Sequence, residues 1–348
     1  MAPRTQCTPF LRWALPRLGM RWAGFRKVRG QVCKRIARRI RELGLDGFEA
    51  YRRHLERHPE EWRVLDGLCR VTITRFHRDR GVFELLRGEV LPMLAEAVRA
   101  SAETEQEGSR RAEETSAKVG KATEEWALPN QESGLPQRKS VILHIWSAGC
   151  ASGEEPYTLA LAERLDPTLS SRGIRLHITA TDADPHLLAR ARRGRYPVGA
   201  LRDLPAGWVE EAFTPVSVPE TNGPDMIDDA APGGQPAPDR NAEMELSPEI
   251  REKVVFLEQD LREEMPGGPF HLILCRNLAF TYFDETGRRE ILARLANRLV
   301  PGGVLVLGAH ERLPGEGDAP SVDPPVDPPR FRRIRPGEPV YRVEAHRA

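Results

Sequence analysis

The sequence predicts an α/β protein in two parts: a small all-helical domain, then a larger domain with a mostly parallel sheet covered by helices on both faces. Three observations predict it. From Val141 onward, β-branched and apolar runs alternate with runs of helical spacing. The first run, Val141 to Trp146, breaks into the small-residue turn Ser147-Ala148-Gly149-Cys150-Ala151-Ser152-Gly153, and helical spacing begins at Glu154. Strand, glycine turn and helix in that order open nucleotide-type α/β folds. Between residues 24 and 70 the spacing is helical instead.

The elements follow in order. Val32, Ile36 and Ile40 recur at four-residue spacing, with Lys34, Arg35, Arg38, Arg39 and Arg41 elsewhere around the wheel. Gly44 ends that helix. Asp46 can cap the next, with Glu49 completing a capping box and Phe48, Tyr51 and Leu55 facing inward. Glu61–Leu68 and Val82–Val98 give two more, so residues 20–100 form the helical domain. Strands are expected at 141–146, 176–181, 254–257, 270–275 and 304–308, with Tyr341-Arg342-Val343 able to close the sheet. Helices are expected at 154–164, 185–193 and 285–299, and a turn at Pro301-Gly302-Gly303. Residues 140–313 form this second domain. Segments 101–139 and 216–242 are polar or rich in Pro and Gly without period, and read as disordered inserts. Residues 314–348 begin with a linker repeating Asp-Pro-Pro.

Composition narrows the class. The chain has 348 residues and a formal net charge of +1, which suggests one to three domains with ample core, and its Arg and Lys are dense in residues 1–60 with the acids later. No apolar run approaches the roughly 20 residues of a membrane helix, and no signal peptide is evident. The five cysteines lack CxxC or zinc spacing; they read as reduced thiols in a cytoplasmic protein, with no metal site.

The chemistry starts at the glycine turn. Gly149 and Gly153 let backbone approach a ligand closely. Glu154 and Glu155 stand at the helix start, where a phosphate site would avoid acids. A ligand with ribose hydroxyls, a positive charge and no phosphate suits them, and S-adenosylmethionine is such a ligand. An acid ending the second strand accepts hydrogen bonds from ribose in these folds. Asp182 suits that role and Asp184 competes for it.

Three blocks together are far more specific than a glycine turn. They are Ser147 to Tyr157, reading SAGCASGEEPY; Ala180-Thr181-Asp182-Ala183-Asp184 with Ala189 to Tyr196 after it; and Cys275-Arg276-Asn277 followed by Tyr282-Phe283-Asp284. A fourth, Val71-Thr72-Ile73-Thr74-Arg75-Phe76-His77-Arg78-Asp79, lies in the helical domain. With these the chain resembles the CheR family, chemotaxis methyltransferases that move a methyl group from S-adenosylmethionine to glutamate side chains of receptors. The resemblance implies a Rossmann-like S-adenosylmethionine methyltransferase domain. It implies that Glu155 and Asp182 hold the amino and ribose ends of the cofactor. Thr74 and Arg78 would lie over it, Arg78 on the methionine carboxylate, and Thr72 replaces the family's asparagine. Asp260 takes the place of an asparagine near the adenine, with Leu261 beside it. Arg276 and Asn277 would border cofactor and substrate. Tyr282 would stand near the methyl, which makes Arg78 and Tyr282 the expected catalytic pair.

Two departures stand out. Leu278-Ala279-Phe280-Thr281 separates Asn277 from Tyr282, one residue more than the family's usual spacing, so Tyr282 is expected to need a bulged turn. His77 replaces a phenylalanine, a packing substitution whose imidazole could titrate near neutrality. The implied partner is a protein with exposed glutamates, such as acidic receptor helices steered by the basic helix face. That face lacks interleaved aromatics, so nucleic acid is not the expected partner. The family's receptor-docking subdomain is a three-stranded insertion near 216–242, a stretch in which three strands are not visible. Two other readings remain open: a non-catalytic module binding S-adenosylmethionine or S-adenosylhomocysteine, and a methyltransferase for another acceptor. A glutamate carboxylate is ionised at neutral pH and needs no general base, so neither a catalytic triad nor a metal is expected.

Overall fold

The structure is a computed structural model that describes residues 4–71, 74–117, 140–216, 242–316 and 331–344. Ten strands form two sheets: β1 (Val141–Ala148), β2 (Ile174–Asp182), β3 (Arg195–Pro197), β4 (Phe213–Pro215), β5 (Glu243–Leu246), β6 (Val254–Glu258), β7 (Phe270–Leu274), β8 (Leu299–Val306), β9 (Phe331–Arg333) and β10 (Val340–Val343). The main sheet has the order β6-β2-β1-β7-β8-β10-β9. Its strands run parallel from β6 through β8, and β10 is antiparallel to β8 and to β9. Tyr341 to Val343 therefore does join the sheet, though β9 pairs on its far side and forms the edge. The expected turn at Pro301–Gly303 is an irregularity inside β8, whose register against β7 shifts between Phe270 and Leu272.

Alternation along the strands sorts side chains to two cores. Val141, Leu143 and Ile145 with Ile174 and Ile178 pack on the helix Glu154–Leu165. Trp146, Ile273 and Leu305 pack on the opposite side against Phe280, Ile291 and Leu295. The residues Arg80 to Ala117 are continuous helix, with a π-helical stretch over Leu86–Val90. Val82, Leu86, Val90 and Leu91 belong to the first of these cores, so this helix, expected in the helical domain, covers the sheet. It also runs on to Ala117, so the first part of the segment read as a disordered insert is helical. The remainder of that segment, most of 216–242 and the Asp-Pro-Pro linker lie outside the described residues.

The helical domain begins at Arg4, earlier than expected. Helices Arg4–Ala14, Arg29–Glu42, Gly47–Arg57 and Glu61–Cys69 close around Leu11, Ile36, Phe48, Tyr51 and Leu65. Buried Glu61 accepts two hydrogen bonds from Arg39 (2.9 and 2.8 Å) and one from the Tyr51 hydroxyl (2.8 Å). Asp46 holds the N-cap position without a side-chain cap bond, so no capping box forms. Cys7 and Cys33 form a disulfide between the first helix and the basic helix, which corrects the expectation of reduced thiols. Cys69, Cys150 and Cys275 are free and buried.

A second correction concerns the small sheet. β3, β5 and β4 pair antiparallel in that order. The strands flank the long polar stretch instead of lying in it, and each is only three or four residues long.

Candidate active site

A cleft opens at the carboxyl ends of β1, β2, β6 and β7. Strand order reverses at β1, which has β2 on one side and β7 on the other, and such a switch point leaves a crevice between the diverging loops. The turn after β1 is knitted to β2: the Gly149 and Cys150 amides both donate to the Thr181 carbonyl (2.8 and 2.9 Å). Gly149, Ala151 and Gly153 have φ of 76°, 50° and 91°. The two glycines serve different ends. Gly149 lines the cleft, and a Cβ there would lie 2.4 Å from Leu278. A Cβ on Gly153 would meet Ala191 at 2.9 Å, so that glycine lets the following helices pack closely.

The cleft has two connecting halves of about 810 and 790 Å³, sharing Val71, Gly149, Ala151, Asn277 and Tyr282. The first holds Asp182, Asp260 and Leu261 among apolar Met20, Phe25 and Phe283. Asp182 accepts the Ala151 amide on one oxygen (2.8 Å) and the Asp184 amide on the other (2.9 Å). A carboxylate has about four acceptor positions, so each oxygen keeps one open. Burial pushes this carboxyl above its ordinary value. Asp184 differs: one of its oxygens caps the next helix, accepting the His186 and Leu187 amides. Asp260 joins a network with Arg262 (2.7 Å) and with Arg70 of the helical domain (3.1 Å), and Asp66 accepts two bonds from Arg262. Burial alone would raise the Asp260 carboxyl, but hydrogen bonds and charge from Arg262, with the charge of Arg70, hold it below the usual range.

The second half holds Thr74, Arg75, Arg78, Glu155, Arg276, Asn277 and Tyr282. Thr72 lies outside the described residues. Arg276 is a buried clamp at the end of β7. It pairs with Glu155 (2.9 Å) and Asp79 (2.7 Å) and donates to the Arg78 carbonyl (2.8 Å), tying strand, helix start and helical-domain loop together. Glu155 also accepts from Ser147 (2.7 Å). Glu154 turns inward to Ser152 and Thr74, and burial raises its carboxyl. Arg78 donates to Asn277 Oδ1 (3.2 Å).

Tyr282 faces both halves, and burial pushes its phenol up to about 12. The extra residue before it is taken up by a short helix, Ala279–Tyr282, in place of the expected bulge. The helical domain grips this stretch. The Arg21 amide donates to the Tyr282 carbonyl (2.8 Å) and its guanidinium to the Thr281 and Phe280 carbonyls (3.0 and 2.6 Å). Phe25 packs on the Tyr282 ring at 5.0 Å. His77 is a packing residue: it is buried, stacks on Phe83 and bonds the Asp203 carbonyl, and burial lowers its pKa.

Sequence reasoning passed over Gln259, Arg70, Arg262 and Glu311. Gln259 follows β6, lines the first half, and its buried Oε1 has no partner among the described residues. That orphaned amide oxygen and the two open positions on Asp182 are a polar set suited to a nucleoside. The arginine-rich second half suits a carboxylate. The residues present therefore fit S-adenosylmethionine.

Comparison with known proteins agrees with this geometry. The family model described as "CheR methyltransferase, SAM binding domain" matches residues 122–222 and 237–323, more than half of the chain. The chain belongs to the CheR methyltransferase family. The model "CheR methyltransferase, all-alpha domain" matches residues 27–65 of the helical domain. A probable chemotaxis protein methyltransferase of Rhizobium etli is 28% identical over 289 residues, covering 82% of this chain and 85% of that protein. The chemotaxis protein methyltransferase of Escherichia coli is 27% identical over 289 residues, covering 82% and 77%. Chemotaxis protein methyltransferase 1 of Pseudomonas aeruginosa is 33% identical over 175 residues, covering 49% and 55%. The protein is thus an S-adenosylmethionine-dependent methyltransferase with a Rossmann-like catalytic domain behind a helical one. Among the described residues no helix is long and apolar enough to cross a membrane.

Proposed function

We propose that this CheR-family enzyme O-methylates glutamate side chains of a chemoreceptor-like protein. The observation that carries the reading is the make-up of the second half of the cleft. Among the described residues it is lined by Arg75, Arg78 and Arg276 and by no histidine or lysine. Its other titratable groups are spoken for: Glu155 is paired with Arg276, and burial keeps Cys150 and Tyr282 protonated. An amine acceptor must lose a proton before it can attack, and this site offers no base for it. A carboxylate acceptor arrives ionised and needs none.

Within the proposal, Asp182 accepts the ribose hydroxyls, and Asp260, Leu261 and Gln259 border the adenine. Arg78 and Thr74 cover the methionine end, with Arg78 on its carboxylate and Glu155 toward its amino group. Arg276 and Asn277 fix the shape of that end, and Tyr282 orients the acceptor. The cofactor, when bound, supplies an electrophilic methyl group on a sulfonium. The chain's own work is alignment and exclusion of water, worth on the order of 7–11 kcal/mol when reacting atoms are well placed. The helical domain and the α/β domain act as one unit, since Phe25, Arg70 and Arg78 line the cleft from the helical side and Arg21 binds the carbonyls of the stretch ending at Tyr282.

Two surfaces support a receptor as acceptor. The β3-β5-β4 sheet is the kind of subdomain the family uses for docking. The basic helix presents less charge to solvent than its wheel suggests, because Arg39 is ion-paired with Glu61 and Arg35 is half-buried against the Arg70 carbonyl. Lys34, Arg38 and Arg41 remain exposed toward an acidic helix. A cytoplasmic setting belongs to the same proposal; it rests on the family and no longer on reduced thiols. The test is transfer of labelled methyl to a purified chemoreceptor cytoplasmic fragment. The label should leave on mild alkali, and the rate should be nearly flat from about pH 6 to 8, because a glutamate near ~4.3 is ionised throughout. Alkali-stable label, or a rate climbing steeply with pH, would replace the carboxylate acceptor with an amine.

A further inference from the structure

Glu311 lies beyond the end of β8, is 5% exposed, and is not among the residues lining the cleft. Its carboxylate nevertheless joins both ends of the segment that carries Tyr282. One oxygen accepts the Asn277 amide (2.7 Å) and the Gly308 amide (2.7 Å); the other accepts the Thr281 hydroxyl (2.6 Å). Asn277 stands at φ 56°, a left-handed conformation that costs a non-glycine residue energy unless its surroundings impose it. Gly308 leaves room for the arrangement, since a Cβ there would lie 2.9 Å from both Asn277 Oδ1 and the Glu311 carboxylate.

The span from Asn277 to Thr281 is the stretch with one residue more than the family's usual spacing. A longer spacer gives Tyr282 more conformations unless its ends are pinned. Arg21 holds the carbonyl side of this stretch from the helical domain, and Glu311 holds the amide and hydroxyl side from the sheet. We propose that Glu311 is a positioning residue for methyl transfer: by bridging Asn277 and Thr281 it sets the longer turn so that Tyr282 and the Asn277 side chain enter the cleft in working geometry. The inference rests on the assignment of Tyr282 to the acceptor side.

Substitutions separate geometry from charge. In Glu311→Gln the amide oxygen can accept both backbone amides while its NH2 donates to Thr281, so the bridge survives without the charge. Glu311→Ala removes the bridge, and Thr281→Val removes only its second arm. The first measurement needs no acceptor: fluorotyrosine placed at position 282 of the full chain, read by 19F NMR without cofactor. The resonance should shift or broaden in Glu311→Ala and Thr281→Val and stay in place in Glu311→Gln. An unchanged resonance in both disrupting variants overturns the proposal, as does a Gln variant displaced as far as the Ala variant. If Glu311→Ala fails to fold, the Thr281→Val and Glu311→Gln pair decides alone. The second measurement is a double-mutant cycle on methyl transfer to a chemoreceptor fragment. Thr281→Val should lower kcat by about tenfold in the wild-type background, a loss of about one buried hydrogen bond. It should have little further effect beside Tyr282→Phe, and additive effects would count against action through Tyr282. A protein that methylates no carboxylate defeats the acceptor assignment, while the NMR result still decides the role of Glu311.

Discussion

Replacing Asp182 should cost the enzyme most of its affinity for S-adenosylmethionine. The carboxylate uses two acceptor positions on the Ala151 and Asp184 amides and keeps two for a ligand. Two hydroxyls donating to a charged oxygen contribute about 1.5–3 kcal/mol each. Each 1.4 kcal/mol is about tenfold in Kd, so Asp182→Ala should weaken binding by roughly a hundredfold or more. Asp182→Asn should be little better, since its NH2 must face one of the two amide donors. Calorimetry with S-adenosylmethionine and with a donor analogue lacking ribose hydroxyls closes the cycle. The analogue should bind wild type poorly and should bind Asp182→Ala no worse than S-adenosylmethionine does. Because burial raises this carboxyl, wild-type affinity should begin to fall above the ordinary aspartate value of about 3.9 as pH is lowered. An Asp182→Ala protein that remains folded and binds within about threefold of wild type would refute the reasoning.

Three further outcomes follow from the helical domain and its contacts with the α/β domain. Reducing the Cys7–Cys33 disulfide, whose cysteines are 26 residues apart, should lower stability by about 3 kcal/mol, visible as a lower Tm with dithiothreitol; an unchanged Tm would mean the closed loop is constrained without it. Asp260 has a depressed pKa, so its contribution should be full above about 3.9 and disappear as pH falls through its lower folded value. The stability difference between wild type and Asp260→Asn should therefore shrink in acid, and a difference independent of pH would contradict this. Arg276→Met should cost about 2–3 kcal/mol in urea unfolding, below the full cost of breaking a buried pair because Glu155 and Asp79 keep 14% and 26% side-chain exposure. A neutral effect would show that water replaces the clamp.

The strand–helix alternation was legible because the parallel strands read as apolar runs punctuated by turn residues, even where β1 and β2 alternate between buried and exposed positions along their first halves. What escaped reading had weaker local signals. Residues 101 to 117 carry no apolar stripe, yet Ala, Glu and Arg are good helix formers, and extension from a packed helix needs no new nucleation. β3 and β4 are three residues each, too short for alternation to show, and β5 pairs with them only after a long intervening stretch. The disulfide depends on how the first helix lies on the basic one, which spacing does not reveal. The cleft divides the same way. Asp182, Glu155, Arg276 and Asn277 stand at strand ends or helix starts, where local pattern announces a loop facing the ligand. Their partners do not. Glu311 meets Asn277 from 34 residues away, and Asp66 meets Arg262 from 196. A carboxylate in such a loop has no periodicity to distinguish it from a solvated one until the backbone amides it accepts are located. In this chain many of the groups aimed at the cleft could be named from local sequence, Gln259 being an exception, while those that hold them in place depend on tertiary contact. The clearest case is the long spacer before Tyr282, where an apparent defect in the motif becomes workable once Glu311 and Arg21 are found on either side of it.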